Sequence, residues 1–111
     1  MAYDEDLADR IRELVAGEEG LEEQRMFGGL AFLIHRHMAV AAGGEGGALL
    51  RVPPERTDEL AAEPHASRFV MRGREMTGWL RIEPEGMAAE ADLARWVGLG
   101  VDHARSLPPK S

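Results

Sequence analysis

The chain is predicted to form one α+β domain over residues 1–111, a mainly antiparallel five-stranded sheet with helices packed on it. Three features point there. Amphipathic segments with helical period stand at both ends. Between them lie short apolar segments whose links are too brief for parallel crossovers. With 44% apolar and 30% charged residues among 111, the chain holds enough apolar mass for one modest core.

Each element follows from its residues. In residues 4–16, Leu7, Ile11, Leu14 and Val15 fall on one helical stripe that Tyr3 extends. Asp4, Glu5 and Asp6 suit the positive end of the helix dipole, and Gly17 and Gly20 end the helix. Met26–Ile34 has no helical period and reads as a strand, with Gly28 and Gly29 marking a bulge or a close backbone approach. Met38–Ala42 completes a hairpin. The Gly43–Gly47 run is a turn. Ala48–Val52 is a third strand, with Leu50 and Val52 facing one way and Leu49 and Arg51 the other.

Pro54–Ala62 reads as a short helix with proline in its first turn. Phe69–Arg72 and Trp79–Ile82 form a second hairpin around Gly73 and Gly78. Ala88 to about Ser106 is the last helix, with Leu93, Trp96, Val97, Val101 and Ala104 on one face. Gly98 and Gly100 weaken it by about 1 kcal/mol each, which points to close packing there or to a kink. The proline-rich tail 107–111 cannot continue a helix and is expected to be flexible.

Charge and residue usage exclude several chemistries. Residues 1–23 hold nine acids against Arg10 and Arg12, which is the whole net charge of −7. Such a face repels nucleic acid, whose binding rests on neutralising phosphates, and direct nucleic-acid binding is not expected. The acidic first helix is a solvated face or a docking face for a basic partner. Cysteine is absent, which removes disulfides and thiolate metal sites and fits a cytoplasmic location. No apolar run approaches the roughly 20 residues of a membrane helix, so no membrane partner is expected.

His35-Arg36-His37 has metal-pair spacing but falls at the predicted hairpin turn. The other histidines stand in separate elements, so an exposed turn and no metal are expected. Gly43–Gly47 is followed by a strand and no Lys, unlike a phosphate loop. Glu18, Glu19, Glu22 and Glu23 lie in a polar stretch and are expected to keep solution pKa values. No nucleophile elbow or acid–base pair is found. The expectation is therefore no catalytic residue, no enzyme activity and no cofactor. The best contact surface is the half-open face of the sheet, where Arg51, Trp79 and Arg81 gather. Its partner is expected to be a protein or a second copy of the chain. The competing expectation is a small-molecule or catalytic cleft near Phe27, Met76 and Trp79.

The string Arg25-Met26-Phe27-Gly28-Gly29-Leu30-Ala31-Phe32-Leu33, followed by Met38-Ala39-Val40, resembles the Met-Phe-Gly-Gly signature of the TfoX/Sxy N-terminal-domain family. Leu49-Leu50-Arg51-Val52 is similar to the family's third strand. Met71-Arg72-Gly73-Arg74-Glu75-Met76-Thr77-Gly78-Trp79-Leu80 resembles its Gly-x-x-Met segment. Asp92–Val97 and Ala104–Lys110 resemble the end of short stand-alone members. The ordered resemblance spans about residues 4–110. It implies an α+β fold of the secretion-chaperone-like kind and no established catalytic residues. Longer members regulate natural competence together with a cyclic-AMP-responsive activator and carry a second, helical domain. The resemblance therefore implies a regulatory protein-binding module, with Met26, Phe27, Gly28 and Gly29 as its structural motif. His35-Arg36-His37 departs from the glycine-rich turn common at that place, so a longer or differently shaped hairpin is expected there. Gly28→Val is expected to destabilise the fold by steric overlap.

Overall fold

Helix α1 (Glu5–Val15) begins where Asp4 Oδ1 accepts a hydrogen bond from the Leu7 N–H at 3.2 Å, satisfying one orphan donor of the helix start. In the computed structural model, which describes residues 3–26, 28–44 and 46–108, α1 buries Leu7, Ala8, Ile11 and Val15. Leu14, expected on that stripe, is exposed. At about 100° per residue the stripe centres nearer Ala8, and Leu14 falls at its margin.

The strands are β1 (Leu21–Met26), β2 (Gly29–Ile34), β3 (His37–Ala42), β4 (Ala48–Arg51), β5 (Ala66–Met71) and β6 (Arg74–Ile82). They form one sheet in the order β1-β2-β3-β4-β6-β5, and every neighbouring pair is antiparallel. The expected five strands are thus six among the described residues. The single strand expected over Met26–Ile34 is instead the end of one strand, a turn and the next strand. β1 lacks apolar alternation because it is an edge strand, and Glu22, Glu23, Gln24 and Arg25 are all exposed. Such charges protect an edge from pairing with other chains.

The turn glycines work differently from expectation. Gly28 lies between β1 and β2 with φ +75°, and among the described residues only Gly44 backbone stands within 4 Å of a Cβ built there. Its backbone, not crowding, resists Gly28→Val. The close approach is at Gly29, where a Cβ would overlap the Ala42 carbonyl on β3. Phe27 lies outside the described residues.

His35 (φ 49°) and Arg36 (φ 70°) make a tight two-residue turn between β2 and β3. Both carry the left-handed backbone of a type I′ turn, so this hairpin is the short common form and not a longer one. His37 is not in the turn. It is a buried residue of β3.

Helices α1, α2 (Thr57–Ala61) and α3 (Glu90–Ser106) all contribute to one core on one face of the sheet, with Phe32, Val40, Leu50, Leu80 and Ile82 beneath them. The five apolar residues expected on the last helix are all buried. β3 is bulged: Phe32 faces Val40 while Leu33 faces Met38. Ala39 is therefore the extra residue and joins Val40 on the helix side. Gly100 of α3 sits directly over it, and a Cβ there would overlap the Ala39 carbonyl. Among the described residues Gly98 meets nothing within 4 Å, so of the two helix glycines it is Gly100 that marks close packing.

β5 and β6 meet in a two-residue turn at Arg72-Gly73, with Gly78 inside β6 and not in the connection. Pairing runs regularly from Ala66–Ile82 to Arg68–Leu80, then resumes at Val70–Glu75. β6 therefore bulges around Gly78. Two hydrogen bonds pin the bulge: the Gly78 N–H donates to Thr57 Oγ1 at 2.8 Å, and the Val52 N–H donates to the Gly78 carbonyl at 2.9 Å. The Thr57 hydroxyl in turn donates to the Pro54 carbonyl at 2.8 Å, and its side chain is buried.

Candidate docking face

The face of the sheet opposite the main core carries a second apolar cluster that draws on no helical residue. Ala31, Leu33, Met38, Ala41 and Leu49 are buried there, and Met26, Phe69 and Trp79 pack around them half-buried. Strand alternation sets this division: Leu50 and Val52 point into the helix-side core, while Leu49 and Arg51 point to the other face.

Arg51 and Trp79 are cross-strand partners on β4 and β6. The Arg51 guanidinium lies 5.7 Å from the indole centroid, a cation–π stack that holds a planar donor fork in place. Arg51 is half-buried, and among the described residues no carboxylate pairs with it. The other half-buried arginines are each ion-paired: Arg10 with Glu90, Arg12 with Asp9 and Glu23, Arg56 with Glu59, Arg68 with Asp58, and Arg81 with Glu83. Arg81 shares the face, opposite Leu49. It is engaged differently, reaching Glu83 at 3.3 Å and donating to the Gly46 carbonyl at 3.1 Å. It thereby fastens the β3–β4 turn. The predicted trio thus divides into a stacked pair and a structural clamp. Phe69 belongs to the same face, a role that Ser67-Arg68-Phe69-Val70-Met71 does not signal, since polar and apolar residues do not alternate there.

Met76 is half-buried on β6. Because Phe27 is outside the described residues, the expected cleft between Phe27, Met76 and Trp79 is not described.

Part of the acidic first segment is internally paired. Arg12 bonds Glu23 at 2.7 Å and 3.0 Å and Asp9 at 2.6 Å, with its guanidinium over the Phe32 ring at 5.9 Å. That hydrogen bond holds the Glu23 carboxyl below its ordinary range, contrary to the expectation of an unshifted group. Glu18 pairs with Arg105 of α3. Glu63 is lowered in the same way by its hydrogen bonds from Arg95 at 2.5 Å and 2.8 Å.

At the end of α3, His37 Nε2 and the Pro108 carbonyl are 2.6 Å apart, so Nε2–H donates. Nδ1 is buried without a partner. His103 titrates below its ordinary value, first because it is partly buried and then because Arg51 is near. Among the described residues no three metal-ligating side chains gather in one place, and no helix is long and apolar enough to cross a membrane.

Fold and face together define a small α+β domain with helices on one side of an antiparallel sheet and a stacked arginine–tryptophan pair on the other. A family model described as the TfoX N-terminal domain matches residues 13–104. The chain belongs to that family. Among curated proteins none matches the chain.

Proposed function

We propose that this domain is a non-catalytic regulatory protein-interaction module of the cytoplasm. It takes a carboxylate-bearing segment of a protein partner against Arg51 and Trp79. One observation carries the reading: Arg51 is held half-buried on an indole with no carboxylate partner among the described residues. A partly desolvated guanidinium lacks compensation unless an anion meets it, and a planar fork fixed by stacking suits a carboxylate. Trp79 itself, and Phe69 on the strand next to it, supply apolar contact. The regulatory part rests on family membership, since longer members act in competence regulation. No nucleic acid and no cofactor enter this reading.

The test is calorimetric titration with a hexaglutamate peptide at low salt. The wild type binds, Arg51→Gln weakens binding by about tenfold or more, the loss expected for one charge-assisted pair, and added salt weakens it further. Equal binding by Arg51→Gln, or none by the wild type, would refute the assignment.

A further inference from the structure

We propose that two copies of this chain associate through β5, pairing edge to edge in antiparallel fashion about a two-fold axis. The two edges of the sheet differ in kind. β1 presents Glu22, Glu23, Gln24 and Arg25 in succession. β5 presents Phe69, Val70 and Met71, with Val70 54% exposed. An unblocked apolar edge is a template for another strand. β1 lies at the opposite edge and is tied through Arg12–Glu23 to the acidic first helix. Joining β5 to β5 therefore keeps the acidic segments apart, whereas joining β1 to β1 would bring them together.

The backbone fixes the register. His65 offers its carbonyl inward to Glu83 N–H, and the two-residue turn makes Met71 and Arg74 the closing pair of the hairpin. By alternation Ser67 also bonds inward, the Phe69 backbone faces inward at the bulge, and Arg68 and Val70 present N–H and C=O outward. Arg68 then lies opposite the partner's Val70, and Val70 opposite the partner's Arg68, with two hydrogen bonds in each pair. Phe69 meets the partner's Phe69 in the close non-hydrogen-bonded position between them, extending the second apolar cluster across both copies. Centring on Arg68 would set two guanidiniums face to face. Centring on Val70 would set Arg68 against the partner's turn residue Arg72 and leave one bonded pair. An isologous pairing of this kind closes as a dimer. It stands independently of the Arg51 reading.

Because the chain has no cysteine, single cysteines report the register. Phe69→Cys brings two Cα atoms to about 4.5 Å, within disulfide range. Ser67→Cys leaves its pair about 13 Å apart, four strand positions out of register. Light scattering on the wild type gives twice the 12.2 kDa protomer mass. Mild oxidation links Phe69→Cys at least tenfold faster than Ser67→Cys. Val70→Pro removes an outward N–H without touching the β5–β6 ladder and gives a monomer, as does Val70→Lys if the proline variant does not fold. A wild type that stays at protomer mass up to about 1 mM, equal linking of the two cysteine variants, or a dimer that survives Val70→Lys overturns the proposal.

Discussion

Gly98 and Gly100 sit two residues apart on α3, yet the same substitution should act on them with opposite sign. Alanine at either position gains about 0.5–1 kcal/mol of helix propensity, partly by restricting the unfolded chain. At Gly98 nothing among the described residues stands within 4 Å of the added Cβ, so the gain survives. At Gly100 the Cβ would overlap the Ala39 carbonyl oxygen, and its carbonyl carbon lies only 3.0 Å away. That oxygen belongs to the bulge of β3 and cannot move without disturbing strand pairing. Overpacking of this kind costs about 1–3 kcal/mol, more than the propensity gain. The assay is thermal unfolding followed by tryptophan fluorescence, to which Trp96, buried on the same helix, contributes. Gly98→Ala should raise the thermal midpoint by about 3–5 °C and Gly100→Ala should lower it by a similar or larger amount. A Gly100→Ala variant as stable as the wild type would refute the close contact between α3 and the β3 bulge.

Three further outcomes follow from the geometry. Thr57→Val leaves the buried Gly78 N–H without its acceptor and should cost about 1–3 kcal/mol in denaturant unfolding, while Thr57→Ser should restore most of it. Arg36→Gly relieves a left-handed non-glycine residue in the β2–β3 turn and should stabilise by about 1 kcal/mol in thermal melts. Stability should fall on acidification in two stages. Burial and Arg51 lower the folded-state value of His103, so its contribution is present above the ordinary 6.5 and fades as pH drops below it. The hydrogen-bonded carboxylates Glu23 and Glu63 add theirs above about 4.5 and lose it below. Melting His103→Gln across pH 5–7 should remove the first stage alone. His37 and Glu55 also face His103 and are left in place.

The helices could be read from periodicity because one face of each is buried against the sheet, whereas β2 and β3, buried on both faces, show in the sequence only as apolar runs. β1 could not be read, since the residues between Leu21 and Met26 are polar on both faces and its main support is pairing with β2. The extension of β6 back to Arg74 was hidden for a related reason. Gly78 resembles a turn residue, whereas its backbone is bonded to Thr57 and Val52 inside a bulged strand. Strand alternation placed Arg51, Trp79 and Arg81 on the open face, but neither the stacking of Arg51 on Trp79, which needs β4 beside β6, nor the engagement of Arg81 followed from it. Glu83 stands only two residues further along the chain, but the Gly46 carbonyl becomes a neighbour only when the β3–β4 turn folds back beside β6. Ala8 replaced Leu14 in the core because stripe geometry places residues by angle, without regard to size.

The assignment of Arg51 and Trp79 as the point of contact is tested most directly by nuclear magnetic resonance, titrating the labelled domain with hexaglutamate. The Arg51 side-chain Nε and the Trp79 indole N–H signals should shift together and saturate at one concentration, with neighbouring β4 and β6 amides following. Shifts confined to α1 or α3, or none at all, would contradict it.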